Sequence, residues 1–265
     1  MTTDPIHRHS ALPARTRSPG QSNGKVLLDH ASRLWQSRAG FRVHGKSWLR
    51  PWAAYCVSPI TYRASGERIA LFDGFSARTN ECDLYTFANV FADYPLIELR
   101  RALGDVNLII DLGANVGAFS FLVRTLASQA RIVAVEPDKK NVAFLRAQPF
   151  ARTIEIREAA VGPFDGKARL IAGENSVTHH VDLSGSAEGE VVSLISLDSL
   201  CQEPALVKMD IEGGELSILE NGLPENIRHL MLEWHYGGVP SDLVAGNWKH
   251  ISTDLHGATM WYWRR

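Results

Sequence analysis

Several features that mark particular classes of protein are scarce or missing in this chain. Its 28 lysines and arginines are balanced by 29 aspartates and glutamates, so the chain lacks the global positive field that draws proteins onto nucleic acids or anionic membranes. The three cysteines, Cys56, Cys82 and Cys201, are too widely spaced for a metal motif or a disulfide framework. No apolar run approaches the roughly 20 residues that cross a bilayer, and the N-terminus lacks the apolar core of a signal peptide. We therefore expect reduced thiols, no nucleic-acid or membrane partner, and a cytoplasmic location.

Three segments are predicted along the chain. Residues 1–24 are rich in proline, serine, arginine and histidine and have few apolar residues, which favours a disordered tail. Residues 25–106 have mixed patterns, and we expect them to form a cap on the domain that follows. Their predicted elements are a helix over 26–39, aromatic turns near Trp48 and Trp52, a strand over 68–72 and helices over 81–91 and 97–103.

Residues 107–265 form the third segment, in which short apolar runs alternate with amphipathic stretches. This alternation predicts an α/β domain with a parallel sheet between helices, and 265 residues suffice to bury its core. Strands are predicted over 108–112, 131–136, 154–160, 168–172, 191–197, 206–209 and 229–234, and helices over 118–126, 140–147 and 215–221. The last apolar residues, Met260 to Trp263, predict an edge strand that closes the sheet.

The sharpest motif is NLIIDLGANVGAFSFLV, residues 107–123, in which a glycine-rich turn joins an apolar strand to an amphipathic helix. Gly113 and Gly117 permit a tight turn, and they let the backbone approach a ligand that a β-carbon would obstruct. The GxGxxG spacing of dinucleotide-binding turns is missing, and Asp111 at the mouth of the turn would repel a pyrophosphate. The carboxylate suits a ligand that carries a cationic amine and a sulfonium. The alternative is a tight turn that binds nothing.

A second apolar strand, RIVAVEPD, ends at Glu136. An acidic residue at this place in a nucleotide-binding fold accepts hydrogen bonds from both ribose hydroxyls. An exposed acidic helix cap would also explain Glu136, but it would leave the combination with the DLGANVG turn unexplained.

Two later strands carry polar residues at alternate positions near their carboxyl ends. In LVKMDIEGGE, Lys208, Asp210 and Glu212 share one face if the chain stays extended. Unpaired charges are costly to bury, so these side chains are expected around a polar ligand. In the alternative, Lys208 pairs with a carboxylate and residues 212–215 begin a helix.

The segment HLMLEWH places Glu233 and His235 at the end of the next strand, with Trp234 facing the core on the other side. Adjacent strand ends share one crevice in a doubly wound sheet, and histidine is a natural base for a hydroxyl proton. A histidine whose hydrogen bonds are met within the fold is the alternative. For Asp198 a helix cap is predicted, and His179 and His180 are expected to be exposed loop residues without a role.

The order of the segments DLGANVG, VAVEPD, EAAVG, ISLDSL, KMDIEGGE and LEWH resembles the FkbM-type family of methyltransferases over about residues 75–236. The KxDxEGxE pattern is the most distinctive part. The resemblance implies a Rossmann-like class I methyltransferase fold, with a mostly parallel seven-stranded sheet flanked by helices and an N-terminal cap. It also implies S-adenosylmethionine as methyl donor and O-methylation of a sugar or another natural-product small molecule.

Site residues follow from the same resemblance. The donor would be bound by Asp111, Gly113, Asn115, Gly117 and Glu136. The catalytic residues facing a small-molecule or glycoside acceptor would be Asp210, Glu212, Glu233 and His235.

The expected reaction is an in-line displacement in which an acceptor hydroxyl attacks the sulfonium methyl group, with His235 or one of the three carboxylates as base. No metal is included in this mechanism. In an alternative that is not favoured, Asp210, Glu212 and His235 hold Mg²⁺ or Mn²⁺ to orient a sugar diol. A nicotinamide-dependent oxidoreductase and a non-catalytic nucleotide-binding module also stay open as functions, because a fold does not determine its chemistry. The oligomeric state leaves no signature in the sequence.

Overall fold

A computed structural model of the chain describes residues 32, 35, 69–72, 74–78, 81–173, 179–183, 186–236, 248–254 and 259–264. The predicted tail over 1–24 and the aromatic turns near Trp48 and Trp52 lie outside the described residues. So does the predicted helix over 26–39, except for Ser32 and Trp35, which are helical.

The described elements follow the predicted alternation closely after residue 107. The strands are β1 (Ile69–Phe72), β2 (Phe75–Arg78), β3 (Leu108–Leu112), β4 (Arg131–Glu136), β5 (Glu155–Glu158), β6 (Ala160–Gly162), β7 (Gly166–Ile171), β8 (His180–Asp182), β9 (Glu190–Ser196), β10 (Ala205–Met209), β11 (Ile227–Trp234), β12 (Lys249–Asp254) and β13 (Thr259–Arg264). The helices are α1 (Asp83–Asp93), α2 (Leu96–Asp105), α3 (Ala118–Leu126), α4 (Lys139–Arg146), α5 (Leu197–Leu200) and α6 (Glu215–Glu220).

The principal sheet has seven strands in the order β12-β13-β11-β10-β3-β4-β5. Strand β13 pairs antiparallel with both of its neighbours, whereas the pairs from β11 to β5 are parallel. This confirms the predicted Rossmann-like α/β class and its mostly parallel sheet. The chain runs outward from β3 to β5 and then returns to β10 beside β3. The carboxyl ends of β3 and β10 therefore flank a topological switch point, where ligands bind in open α/β sheets.

Both faces of the sheet are covered, as the unbroken burial of β3 and β10 requires. Ile109 and Leu206 belong to a core cluster that also contains Phe119 of α3. Ile110 and Val207, on the opposite face, pack in a second cluster with Ile218 and Leu219 of α6, together with other residues of that face. Trp234 lies in this second cluster, which confirms its predicted place in the core.

The segment before β3 packs directly on the first of these cores. Phe75 of β2 lies near Phe87 of α1 and Phe121 of α3, with ring centroids 4.7 and 5.5 Å away. Leu99 of α2 is fully buried in the same cluster. Strand β2 and helices α1 and α2 thus share a hydrophobic core with the domain, while the division of the chain at residues 24 and 106 stays a prediction.

Four of the strands between residues 160 and 196 belong to a second sheet and not to the principal one, which the sequence pattern did not predict. The single strand predicted over 154–160 is two strands, because the chain leaves the principal sheet after β5 and β6 joins another sheet. That second sheet has four strands in the order β6-β9-β7-β8. Its own small core contains Leu170, Val192 and Leu194, so the apolar alternation of these strands reports burial in a separate layer.

The C-terminal residues also differ from their prediction. Met260 to Trp263 do form a strand, β13, but it lies inside the sheet between β11 and β12. The edge is β12, whose sequence KHISTD has a weaker apolar pattern than that of β13.

Within the described part of the chain, no helix is long and apolar enough to span a bilayer. Cys82 and Cys201 are free thiols, and burial raises their pKa to about 11 and about 12. Cys56 lies outside the described residues.

Candidate active site at the switch point

The turn between β3 and α3 holds two predicted donor-site glycines in left-handed conformations. Gly113 has φ 71° and Gly117 has φ 89°, which confirms the tight turn. A β-carbon on Gly113 would lie 1.8 Å from the carbonyl oxygen of Asp210, and one on Gly117 would lie 2.5 Å from Leu145. The protein itself therefore fills the space that we expected these glycines to clear for a ligand, and that reason for the glycines is wrong.

Asp111 is completely buried at the end of β3. Its Oδ2 atom accepts hydrogen bonds from the backbone N–H and the hydroxyl of Ser120, at 3.1 and 2.7 Å. The Nζ atom of Lys208 lies 3.5 Å from its Oδ1 atom. The carboxylate does not stand open at the mouth of the turn, as the sequence suggested, because α3 and β10 enclose it. Any influence on a donor passes through the shape and the electrostatic field of the turn.

Glu136, at the end of β4, is 6% exposed, and its carboxylate accepts three hydrogen bonds. Asn115 donates its backbone N–H to Oε2 at 2.8 Å. Asp138 donates its backbone N–H to Oε1 at 3.0 Å, and the side-chain amide of Asn141 donates to the same atom at 3.3 Å. Burial raises the pKa of Glu136 to about 7, although these hydrogen bonds oppose the shift. Asn115 itself has φ 49°, and this left-handed turn aims its N–H at the carboxylate.

Lys208 connects the turn after β3 with the residue that follows β10. Its buried ammonium donates hydrogen bonds to the carbonyl oxygens of Leu112 and Gly113, at 3.1 and 2.9 Å, and lies 3.3 Å from Asp210. Burial alone would lower the pKa of Lys208, but the charges of Asp210 and Asp111 outweigh it and hold the pKa above its usual value. The pairing of Lys208 with a carboxylate, one part of the alternative, is confirmed. The other part is not, because the helix begins only at Glu215.

The four residues predicted to face the acceptor lie together at the ends of β10 and β11, and we call them the acceptor-side cluster: Asp210, Glu212, Glu233 and His235. The Nε2 atom of His235 is 3.9 Å from Asp210 Oδ1 and 3.6 Å from Glu212 Oε2. Glu233 brings a carboxylate oxygen within 4.8 Å of ligand atoms of Asp210 and His235. The side chains of Asp210 and His235 are 24% and 20% exposed, so solvent or a ligand can reach the cluster.

Glu212 reaches this cluster by a turn and not by continued strand alternation. Strand β10 ends at Met209, and Glu212 and Gly213 have φ of 53° and 104°. The chain is therefore not extended through Glu212, although the shared face predicted for Lys208, Asp210 and Glu212 requires an extended chain. A left-handed glutamate is uncommon and must be held in place by its surroundings.

Glu215, the first residue of α6, holds that turn. Its fully buried carboxylate accepts the backbone N–H groups of Ile211 and Gly213, at 3.1 and 3.0 Å. The same carboxylate lies 3.0 Å from Nδ1 of His235. The sequence interpretation gave Glu215 only the start of a helix. Glu215 is the last residue of the KxDxEGxE pattern, and that pattern is the signal that could have identified it.

Charge in the cluster is unevenly distributed, with three carboxylates and Glu215 around one imidazole. Burial would lower the pKa of His235, but the hydrogen bond and charge of Glu215, together with Asp210 and Glu212, raise it to about 10. Burial and the charge of Asp210 raise the pKa of Glu233 to about 8 and that of Glu212 to about 7. The consequence is an imidazolium close to two carboxyl groups, those of Glu212 and Glu233, whose pKa values lie near neutral pH.

Asp210, Glu233 and His235 are a group that could hold a metal ion. Two carboxylate oxygens and one imidazole nitrogen suit Mg²⁺ or Mn²⁺. This group contains Glu233 where the metal site considered from the sequence has Glu212. Ion pairing of His235 with its carboxylate neighbours explains the same arrangement without a metal.

Three further predicted residues lie away from this cluster. The cap of α5 is Ser196, whose hydroxyl accepts the N–H of Ser199, so the cap predicted at Asp198 is wrong. His180 is exposed but lies in strand β8 of the second sheet, and His179 before it is only partly exposed. The prediction of two exposed loop residues is therefore wrong for the loop position of His180 and for the exposure of His179. Neither histidine belongs to the acceptor-side cluster.

Comparison with known proteins gives one family and several distant folds. The family described as the methyltransferase FkbM domain matches residues 111–245, just over half of the chain. No curated protein matches the chain.

Solved structures that resemble the chain include three described as methyltransferases. A precorrin-6y C5,15-methyltransferase from Geobacter metallireducens is 14% identical, with a TM-score of 0.34, over 63% of this chain and 87% of its own. An RNA methyltransferase from Salinibacter ruber in complex with S-adenosyl-L-homocysteine is 18% identical, with a TM-score of 0.33, over 64% and 90%. The human methyltransferase 10 domain containing protein is 12% identical, with a TM-score of 0.39, over 82% and 97%.

These structural similarities are too distant to assign an activity, so the assignment rests on the family match. The matched residues begin at Asp111 and include Glu136, Lys208 and the whole acceptor-side cluster. The chain belongs to the FkbM-type family of S-adenosylmethionine-dependent methyltransferases.

Proposed function

We propose that this methyltransferase transfers the methyl group of S-adenosylmethionine to a hydroxyl group of a small molecule, a sugar first and another natural product second. The observation that carries the proposal is the acceptor-side cluster itself. It offers partly exposed carboxylates beside an imidazole, and Lys208 joins it directly to the turn that would bind the donor. A hydroxyl acceptor needs a proton acceptor at this place, close to the sulfonium methyl group.

The donor would lie across the carboxyl ends of β3 and β4. Glu136 would accept a hydrogen bond from the ribose, and the backbone of Gly113, Asn115 and Gly117 would line the nucleoside. An ionised carboxylate has about four lone-pair positions, and three of those on Glu136 are already used. One ribose hydroxyl can bind without any change, and a second one would displace the amide of Asn141, whose hydrogen bond is the longest of the three.

In the chemical step, the acceptor oxygen loses its proton to the cluster and forms a bond to the methyl carbon. The carbon–sulfur bond breaks, and its electron pair stays on sulfur, which becomes a neutral thioether. Most of the rate enhancement would come from aligning oxygen, carbon and sulfur, and the base would add about 10²- to 10⁴-fold.

The proton acceptor is better assigned to a carboxylate than to His235. Three carboxylates within 4 Å of the imidazole, Glu215 among them, favour its cationic form. Glu233 and Glu212, whose pKa values are raised to about 8 and about 7, are then the groups that exchange a proton near neutral pH. His235 would orient them and balance their charge.

A small-molecule acceptor is favoured over a nucleic acid by charge. The chain has a net charge of −1, and the acceptor side of the site is acidic, so a phosphate backbone would be repelled. Total RNA nevertheless belongs in the acceptor panel as the arm that would contradict this assignment.

The experiment has two stages. Calorimetry with S-adenosylmethionine, S-adenosylhomocysteine and NAD tests the donor, and the expected result is binding of the first two only. Methyl transfer from labelled donor to a panel of glycosides, polyketides, peptides and RNA then identifies the acceptor. Tight binding of NAD, with no binding of S-adenosylmethionine or S-adenosylhomocysteine, would contradict the proposal. Binding of S-adenosylmethionine without methyl transfer to any acceptor would indicate a non-catalytic module.

Residue roles are tested once an acceptor is known. Asp210→Asn, Glu233→Gln and His235→Ala should each lower kcat by about 10²-fold or more while the donor still binds. Full turnover by both Asp210→Asn and His235→Ala would contradict the assigned roles.

A further inference from the structure

A buried ion pair lies outside the residues that the family comparison matches, yet next to the donor side of the site. Arg78 of β2 and Asp83 of α1 form a bidentate pair, with Nε to Oδ2 and Nη2 to Oδ1 both at 2.8 Å. The backbone N–H of Arg78 also donates to Asp83 Oδ2 at 2.8 Å. Arg78 is 6% exposed and Asp83 is completely buried. Such a pair costs desolvation that its attraction barely offsets, so stability alone is a weak reason to bury it.

The pair continues into the donor site through one amide. Nη2 of Arg78 donates a hydrogen bond at 2.9 Å to Oδ1 of Asn141, which is 1% exposed. Because guanidinium nitrogens can only donate, this contact determines which end of the amide is the oxygen. The amide nitrogen of Asn141 must therefore point the other way, and there it donates to Oε1 of Glu136 at 3.3 Å.

A second contact ties β2 to the donor turn. Gln148 exchanges two hydrogen bonds with the backbone of Ser76, both at 2.8 Å, and donates to the carbonyl oxygen of Val116 at 3.1 Å. Arg78 also stacks over the ring of Phe144 in α4, at 5.0 Å. Strand β2 is thus held against the turn and against α4, and Arg78 has little freedom to leave Asn141.

We propose that Arg78 is a positioning residue for the donor, acting through Asn141 on the ribose-binding carboxylate of Glu136. The inference rests on the proposed function, because it needs Glu136 to contact the ribose. Arg78 keeps the amide of Asn141 turned toward Glu136, which orients the carboxylate in the ligand-free protein. A carboxylate oriented in this way offers its remaining lone-pair position to a ribose hydroxyl without rearrangement, so loss of Arg78 should weaken binding of the ribose. Arg78 and Asp83 are then a part of the donor site.

The test uses a cycle that separates this role from a general loss of structure. The full chain and its Arg78→Lys variant are titrated by calorimetry with S-adenosylhomocysteine and with its 2′,3′-dideoxyribose analogue. Lysine keeps the charge beside Asp83 but cannot bind Asp83 and Asn141 with one planar group. Arg131→Lys is the matched control, since Arg131 makes two exposed ion pairs at the end of β4 opposite to Glu136.

We expect Arg78→Lys to raise the Kd for S-adenosylhomocysteine about fivefold or more and the Kd for the dideoxy analogue less than about twofold. A difference of this kind is expected for residues coupled in one hydrogen-bond network. Arg131→Lys should change neither affinity. Equal weakening of both ligands would overturn the inference, because a merely structural defect does not distinguish the ribose hydroxyls.

A double variant keeps the inference testable if lysine is poorly tolerated. Arg78→Met with Asp83→Asn removes both charges together, which is often neutral for stability, and the amide oxygen can still accept the backbone N–H of residue 78. The variant should unfold at a temperature close to that of the wild type and still lose affinity for S-adenosylhomocysteine. If the folded double variant binds S-adenosylhomocysteine as tightly as the wild type does, the role of Arg78 is overturned and the proposed function still stands. Absence of binding by the wild-type chain would overturn the proposed function and this inference with it.

Discussion

Glu215 contacts His235 of the acceptor-side cluster, with Oε1 of the buried carboxylate 3.0 Å from Nδ1 of the imidazole. The same carboxylate accepts the two backbone N–H groups that shape the turn at Glu212. One residue therefore sets the position of two members of the cluster. Its Nδ1 contact leaves Nε2 of His235 to face Asp210 and Glu212.

Replacing Glu215 by glutamine should separate catalysis from donor binding. The glutamine side chain has no negative charge beside His235, and its NH₂ group must face one of the three nitrogen atoms that now contact the carboxylate, those of Ile211, Gly213 and His235. We expect methyl transfer to fall by about 10²-fold or more, as when the orienting partner of a catalytic group is lost, while the Kd for S-adenosylhomocysteine changes by less than about threefold. Single-turnover kinetics and calorimetry measure the two effects. Glu220→Gln, exposed on the same helix, is the control, and equal activity of both variants would contradict the role of Glu215.

Donor affinity should fall as the pH is lowered through 7. Burial raises the pKa of Glu136 to about 7 from an ordinary value of 4.5, and ribose hydroxyls donate to the ionised form. The Kd for S-adenosylhomocysteine should be about tenfold higher at pH 6 than at pH 8, in proportion to the ionised fraction. Calorimetry at several pH values measures this. Glu158→Gln, an exposed glutamate at the end of β5, should keep the wild-type profile, and the same profile in Glu136→Gln would contradict the assignment.

The raised pKa of Glu136 also makes the stability of the ligand-free protein depend on pH, in the direction opposite to that of donor affinity: the stability falls as the pH rises. Because the folded-state pKa lies above the unfolded value, the contribution of Glu136 to stability is present below pH 4.5 and is lost as the pH rises through about 7. The buried carboxylate of Glu136 therefore lowers the free energy of unfolding at neutral pH, and binding of the donor at the proposed site can offset this loss. Thermal unfolding of the wild type should therefore show a larger shift on adding donor at pH 8 than at pH 6.

Alanine at Gly113 should be far more damaging than alanine at Gly222. Both residues have left-handed φ, 71° and 88°, and each substitution costs about 1–2 kcal/mol for that conformation. At Gly222 a β-carbon meets nothing within 4 Å, whereas at Gly113 it lies 1.8 Å from the carbonyl oxygen of Asp210. Chemical denaturation should show a loss of about 1–2 kcal/mol for Gly222→Ala and several times that, or no folded protein, for Gly113→Ala. Similar losses for the two variants would contradict the close approach of the turn to the residue that follows β10.

Methyl transfer should persist after exhaustive treatment with a chelator. His235 and Lys208 already supply positive charge to the carboxylates that could otherwise hold a cation. Activity should change by less than about twofold in the presence of EDTA. If activity is lost and then restored by Mg²⁺ or Mn²⁺, the group formed by Asp210, Glu233 and His235 is a metal site.

Much of the fold was accessible from periodicity because the buried strands and amphipathic helices leave local patterns. The bounds of β3, α3 and β4 agree with their predictions to the residue. The separate sheet of β6 to β9 and the inner position of β13 were missed, since a strand's alternation does not say which sheet it joins or which strands flank it. Ser196 was missed as a cap because Asp198, two residues later, is an equally plausible residue type.

The family, the α/β class and the residue types that gather at the strand ends could be predicted from the amino-acid sequence, because these depend on local spacing and on the order of short segments along one chain. The folded structure was needed to show that Asp111 is enclosed, that Glu215 holds His235 and that Arg78 reaches Glu136 through Asn141. Those relationships join residues far apart along the chain or depend on burial. Long-range packing sets the hydrogen-bond partner and the dielectric surroundings of a side chain, and neither is encoded in its neighbours along the sequence.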